Sequence, residues 1–320
     1  MITRRQISAA HALIATRLRR TPVIDLSAKA AMPVTLKLEQ LQHTGSFKPR
    51  GAFANLLGSD IPAAGVAAAS GGNHGAAVAY AAAELGIAAR IFVPVKTPPA
   101  KLALIRSYGA EVVQEGERYA AAFELCRAYA AQSGAMLIHA YDSPQTIAGQ
   151  GTLALELEEQ APDLDTVLVA VGGGGLIAGV AAWYSSGLRI VSVEPETCPT
   201  LERALASGSP VDVQPSGIAA DSLGASRIGA LPFSLAQAYV DSCILVTEPA
   251  ITDAQAWLWN NLRIVVEPGG ATAFAAIASG AYLPSPRERI GVVICGANTD
   301  LAAFSGLTGK RPSTRQQAVE

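Results

Sequence analysis

Six residues open the chemistry: Ser46-Phe47-Lys48-Pro49-Arg50-Gly51. Ser46 can cap a helix starting about there, which puts Lys48 in the first helical turn near the positive end of the dipole. Largely apolar flanks would lower its ammonium pKa, as a Schiff-base lysine requires. A second run, Ser70-Gly71-Gly72-Asn73-His74-Gly75, follows an apolar strand candidate and precedes a helical one. Its backbone donors and short polar side chains suit a carboxylate. The third run is Gly172-Gly173-Gly174-Gly175, after the apolar Thr166–Val171 and before the helical Leu176–Tyr184. Bare N–H groups at a helix start bind phosphate, because unpaired donors and the dipole both favour an anion. No Lys-Ser/Thr follows, so this is not a Walker loop. Gly173, Gly175 and Ala178 also match a dinucleotide pattern, with Glu194 ending the next strand 21 residues beyond Gly173. These residues alone leave a single phosphate and NAD both open.

The elements that must position these runs alternate in type. Strands are expected at Val34–Glu39, Val66–Ser70, Arg90–Pro94, Glu111–Gln114, Met136–His139, Thr166–Val171, Arg189–Glu194, Ser242–Val246 and Gly291–Cys295. Helices fall between most of them, including Gly75–Leu85, Pro99–Tyr108, Tyr119–Ala131 and Ile147–Gln160. This alternation implies right-handed βαβ crossovers, mostly parallel sheets and an α/β fold. Continuously apolar strands suit sheets covered on both faces. Ligands in such folds sit at carboxyl ends of strands, where the three runs and Cys295–Asn298 all fall.

Composition narrows the class. The 320 residues are 50% hydrophobic and 16% charged, which excludes a disordered chain. Lys+Arg 24 against Asp+Glu 26, with no long basic block, leaves no footprint for nucleic acid. Two uncharged stretches, 166–188 and 61–83, are interrupted by the glycine and asparagine runs and read as strand-loop-helix, not membrane spans. The first 24 residues hold five arginines and no acid, as a targeting segment would. Ile7, Ala10, Ile14 and Leu18 instead predict a packed helix ended by Thr21-Pro22. Cys126, Cys198, Cys243 and Cys295 are scattered, which fits a reducing compartment and a cytoplasmic protein. The tail after Gly309 is polar and expected to be loose, and no regulatory domain is expected in the 15 residues after Ser305.

Taken together, the motifs resemble the fold-type-II pyridoxal-phosphate (PLP) enzymes, in the threonine/serine dehydratase and serine racemase group. Besides the runs above, Ile147-Ala148-Gly149-Gln150-Gly151-Thr152, Glu267-Pro268-Gly269-Gly270-Ala271 and Cys295-Gly296-Ala297-Asn298 carry the resemblance, in the family's order. It implies a tryptophan synthase β-like fold of two domains, each a mostly parallel sheet flanked by helices. A large domain would span 1–52 and 143–320, and a small mobile one 53–142. Lys48 would be the Schiff-base lysine and general base. Phe47 would stack near the cofactor, Asn73 would bond its phenolic oxygen, and Gly172, Gly173, Gly174 and Gly175 would cradle its phosphate. Glu267 would lie near the ring, and Cys295 would replace the usual Ser or Thr at the pyridine nitrogen. Ser70, Gly71, Asn73 and His74 would form the loop for the substrate carboxylate.

The implied reaction is α,β-elimination of a β-hydroxy amino acid to a 2-oxo acid and ammonia, by a homodimer. Gly71 stands where racemase-type loops carry an acid/base serine, so a dehydratase is expected over a racemase. An NAD-dependent oxidoreductase is the remaining rival. The family's divalent-cation position would draw on Glu194, Cys198 and Thr200, with Asp221 contributing through water. Thr200 replaces the expected carboxylate there.

Overall fold

The structure is a computed structural model and describes residues 1–27 and 34–308. The expectation of a loose tail after Gly309 lies outside these residues. Among the described residues, ten strands form two sheets. They are β1 (Val23–Asp25), β2 (Val34–Leu38), β3 (Val66–Ala69), β4 (Ala89–Val93), β5 (Glu111–Gln114), β6 (Met136–Leu137), β7 (Thr166–Ala170), β8 (Arg189–Pro195), β9 (Ser242–Val246) and β10 (Ile290–Ile294). The larger sheet has the order β1-β2-β10-β7-β8-β9 and the smaller β5-β4-β3-β6. Every pair is parallel except β1 with β2.

Fully buried strands explain the apolar runs. All five residues of β7 and of β10 are buried, because helices cover both faces of the larger sheet. A second core lies between the smaller sheet and helices Pro49–Leu57 and Asn73–Glu84, with Phe53, Val78 and Ile91 at its centre. Helix Pro144–Gln160 lies against Pro49–Leu57 so closely that a Cβ on Gly149 would come within 2.4 Å of the Arg50 carbonyl. The glycine at 149 therefore sets how deeply the segment after Lys48 sits.

The N-terminal helix forms and buries Ile7 and Ile14, but it ends at Ile14, followed by a 3-10 turn to Arg17. The predicted stop at Thr21-Pro22 is thus late. Strand β1 was not expected from the sequence. It is a three-residue edge strand that pairs, among the described residues, with β2 alone. Among the described residues, no helix is long and apolar enough to cross a membrane.

Strand order decides where the site falls. Placing β10 between β2 and β7 brings three carboxyl ends side by side. The chain leaving β2 leads to Lys48, β7 runs into the glycine loop, and β10 ends at Cys295. From the smaller sheet, β3 delivers Ser70 to Asn73.

Candidate active site

The lysine segment is held in an unexpected way. Thr44 and Gly45 are both left-handed, at φ 61° and 76°. They turn Ser46 into extended backbone that bridges Gly296, while Phe47 N–H donates to the Cys295 carbonyl at 3.2 Å. Ser46 does not cap the helix. Lys48 itself is the cap residue before Pro49, with no side-chain cap, and Ser46 Oγ is buried without a partner among the described residues. Tertiary pairing with the loop after β10 overrode the local capping preference.

Lys48 opens onto a cavity of about 370 Å³ and donates from Nζ to the Ala140 carbonyl at 3.0 Å. The Phe47 ring lies 5.0 Å from that nitrogen. Although the side chain keeps some surface on the cavity, the dense protein around its amine withholds solvent. Burial lowers the ammonium pKa to about 8, against the pull of Cys295 and Glu267.

Hydrogen bonds tie three loops into one wall. Asn298 Nδ2 donates to the Thr44 carbonyl and to Asn73 Oδ1, each at 2.7 Å. Asn73 Nδ2 donates in turn to Glu267 Oε1 at 2.6 Å. Burial raises the Glu267 carboxyl to about 7, opposed by this bond from Asn73. Cys295 donates weakly to the Gly269 carbonyl at 3.5 Å, and burial pushes its thiol up to about 12. That thiol is inert rather than nucleophilic.

The Ser70–Gly75 loop opens helix Asn73–Glu84. Ser70 Oγ accepts from Gly72 N–H at 3.1 Å, so its proton is free to turn elsewhere. The His74 ring is buried, and its Nε2 lies 3.1 Å from the Ile138 carbonyl. Burial, Lys48 and His139 hold its pKa down to about 3, against the Ile138 bond. A neutral ring facing a carbonyl donates from Nε2, which leaves only an acceptor lone pair on Nδ1. The His74 side chain is therefore no anion donor. Its backbone N–H, at the helix start, remains one.

The glycine loop is walled on its protein side. A Cβ at Gly173 would enter the Tyr141 ring at 2.2 Å, and one at Gly174 would meet Ile228 at 2.5 Å. Gly174 also has φ +90°, which L side chains rarely adopt. Among the described residues, no N–H of Gly172, Gly173, Gly174 or Gly175 donates to a loop or side-chain acceptor. Four unengaged donors thus sit at the start of helix Gly175–Tyr184 and line a narrow space of about 50 Å³ with Lys48, Asn73, Glu267 and Cys295.

A chain-wide comparison identifies the family. The description "Pyridoxal-phosphate dependent enzyme" matches residues 14–296. The chain belongs to this family. It is 39% identical over 295 residues to a phenylserine dehydratase of Ralstonia pickettii, covering 90% of each chain. It is 35% identical to an L-threonine ammonia-lyase of Thermotoga maritima, covering 97% of this chain and 79% of the relative. The solved structure of maize serine racemase superposes with a TM-score of 0.90 at 33% identity, covering 95% of this chain and 96% of that one.

The residues present fit the PLP of this family. The bare donors at a helix start suit its phosphate, and the lowered Lys48 amine suits its aldehyde. The NAD alternative fails at Glu194 as well. Both its carboxylate oxygens accept backbone N–H groups, from Leu201 at 2.7 Å and Glu202 at 2.8 Å, capping helix Thr200–Ser207. The other expected cation residues are also engaged. Cys198 donates to the Ser216 carbonyl and Thr200 Oγ1 to that of Ala225. Asp221 pairs instead with Lys101 at the cavity. Among the described residues, no three His, Cys, Asp or Glu side chains group as metal ligands.

Sequence reasoning missed several contributors. The Ala140 carbonyl, Tyr141 and Thr97 line the cavity just beyond the ends of β6 and β4. The rule that ligands gather at carboxyl strand ends could have found them. Asn298 stood in a quoted motif, but nothing local tied it to Asn73.

Proposed function

We propose that this enzyme uses PLP to eliminate water across Cα and Cβ of a β-hydroxy amino acid, yielding a 2-oxo acid and ammonia. The observation that carries the reading is a single buried amine at the cavity. Lys48 is enclosed there and shifted toward the free amine, while His74 is neutral and turned to Ile138. Elimination needs one base at Cα, plus a route for the hydroxyl to leave as water. Gly71 offers no side-chain acid, which supports elimination over racemisation.

Bound PLP supplies the electron sink that acidifies the α-carbon. Lys48 would hold its aldehyde and would serve at Nζ as the base for the α-proton. The N–H groups of Gly172, Gly173, Gly174 and Gly175 would hold the phosphate. Asn73, Phe47, Glu267 and Cys295, which line the same space, would hold the rest of the cofactor, with Asn73 for its phenolic oxygen and the Cys295 thiol for its pyridine nitrogen. A neutral thiol in that role would favour elimination of the β-hydroxyl over a long-lived carbanion. Ser70 Oγ and the loop N–H groups of Asn73 and His74 orient the substrate carboxylate. Tyr119 and Tyr141 line the cavity.

We further place residues 53–142 in a small domain that closes on one built from 1–52 and 143–320. The enzyme is proposed as a cytoplasmic homodimer, a setting supported by four free cysteines, three of them buried. The test is release of 2-oxo acid and ammonia from L-serine, L-threonine and phenylserine, with chiral analysis of remaining substrate. Loss of enantiomeric purity outpacing 2-oxo acid release would overturn the dehydratase reading.

A further inference from the structure

We infer that Thr97 is a substrate-positioning residue whose hydroxyl donates to the carboxylate of the bound amino acid, in space left open by Gly71. The inference rests on the cavity being the amino-acid site proposed above. Thr97 lies four residues beyond β4, where its N–H donates to the Pro94 carbonyl at 3.0 Å. It is 9% exposed and lines the cavity with Lys48, Ser70 and Asn73. The residue is almost wholly enclosed, yet its hydroxyl is not among the buried polar atoms and makes no hydrogen bond among the described residues. A hydroxyl that opens on a cavity without a protein partner can donate to a ligand with no existing protein bond to break.

Its surroundings define the ligand chemistry. A Cβ at Gly71 would lie 2.6 Å from Thr97 Oγ1 and 2.7 Å from its Cγ2. Thr97 thus occupies the space that a side chain at 71 would take. The hydroxyl is set against the loop that opens helix Asn73–Glu84, a twelve-residue helix whose first N–H groups and dipole favour an anion. Of the groups on an α-amino acid, the carboxylate matches those donors. A threonine hydroxyl added to them donates to the same charge.

A swap of hydroxyls tests this. L-Alanine has no β-hydroxyl to eliminate, so its dissociation constant on the holoenzyme can be read from the change in visible absorbance. Ethylamine, which lacks the carboxylate, is the control. Thr97→Val should weaken L-alanine roughly 10-fold and leave ethylamine unchanged. Thr97→Ser should stay near wild type. Gly71→Ser alone should crowd Thr97, whereas Gly71→Ser with Thr97→Ala should restore most of the lost affinity, because serine at 71 reaches the vacated space. Unchanged L-alanine affinity in Thr97→Val would overturn the inference, as would equal weakening of both ligands, which marks a structural role. Because no turnover is needed, a wild type that binds L-alanine but eliminates nothing would defeat the proposed reaction alone.

Discussion

Lys48 and Arg50 stand two residues apart, and the fold treats their charges in opposite ways. Arg50 is fully buried between two carboxylates. It donates to both Glu39 oxygens at 2.7 Å, to both Glu156 oxygens at 2.8 Å, and to Thr152 at 3.0 Å. Burial works against its charge, but Glu39 and Glu156 outweigh it and raise its pKa. Lys37 joins the cluster through Glu156 at 2.7 Å, and Thr21 donates to Glu39. Among the described residues Lys48 has no such partner. It bonds one carbonyl, while Glu267, whose charge acts on it, is bonded to Asn73. The difference teaches how one turn of chain serves two ends. A cation with all its donors answered anchors the helix, and a cation denied a carboxylate becomes a reactive amine.

Breaking either side should give distinct failures. The largest effect is expected on the reactive side: Lys48→Ala should lower turnover by about 1000-fold or more, since anchor and base are lost together. Its thermal midpoint should stay close to wild type. Turnover near the wild-type rate would mean the base lies elsewhere.

Arg50→Met should do the reverse. It leaves Glu39 and Glu156 facing each other in the core, at a cost of about 3–5 kcal/mol. Denaturant unfolding should show this loss, with activity per folded molecule falling far less than in Lys48→Ala. A midpoint equal to wild type would show that the cluster is not the anchor described here.

Gly174→Asp probes the donors facing the cavity. It adds a carboxylate beside a phosphate site and a Cβ against Ile228 and Pro232. PLP retained after dialysis should fall at least roughly 10-fold. Full occupancy would move the phosphate site.

The smallest effect sharpens the comparison by pH. In cofactor-free protein, acylation of Lys48 requires the neutral amine. Its rate should climb with pH and level off above about 8, whereas a lysine at the ordinary value of 10.5 keeps climbing. Peptide mapping of acylated protein at several pH values would read this. A midpoint near 10.5 would show that burial does not depress the amine.

Much of the fold was legible because buried parallel strands write their environment into consecutive apolar residues. Strands β5 and β9 fall on the expected residues, and most others differ by one or two at an end. The glycine loop and the lysine run were equally visible, since bare backbone at a helix start and a lysine in apolar sequence are local facts. Strand β1 was not visible, because three residues carry no period and form only by pairing with β2.

What the sequence by itself determined was therefore local: the alternation of strand and helix, the four strand-end loops and the lysine that could do chemistry. Only the tertiary structure decided how the polar groups were answered. It drew Ser46 into a bridge with Gly296, turned His74 toward Ile138, and set Thr97 against Gly71. It also gave Arg50 a carboxylate 106 residues away while leaving Lys48, among the described residues, bonded to a carbonyl and to no carboxylate. Backbone preference is set by neighbours within a few residues. Whether a buried polar atom finds a partner depends on segments far apart in the chain, and that pairing makes one cation an anchor and the other a base.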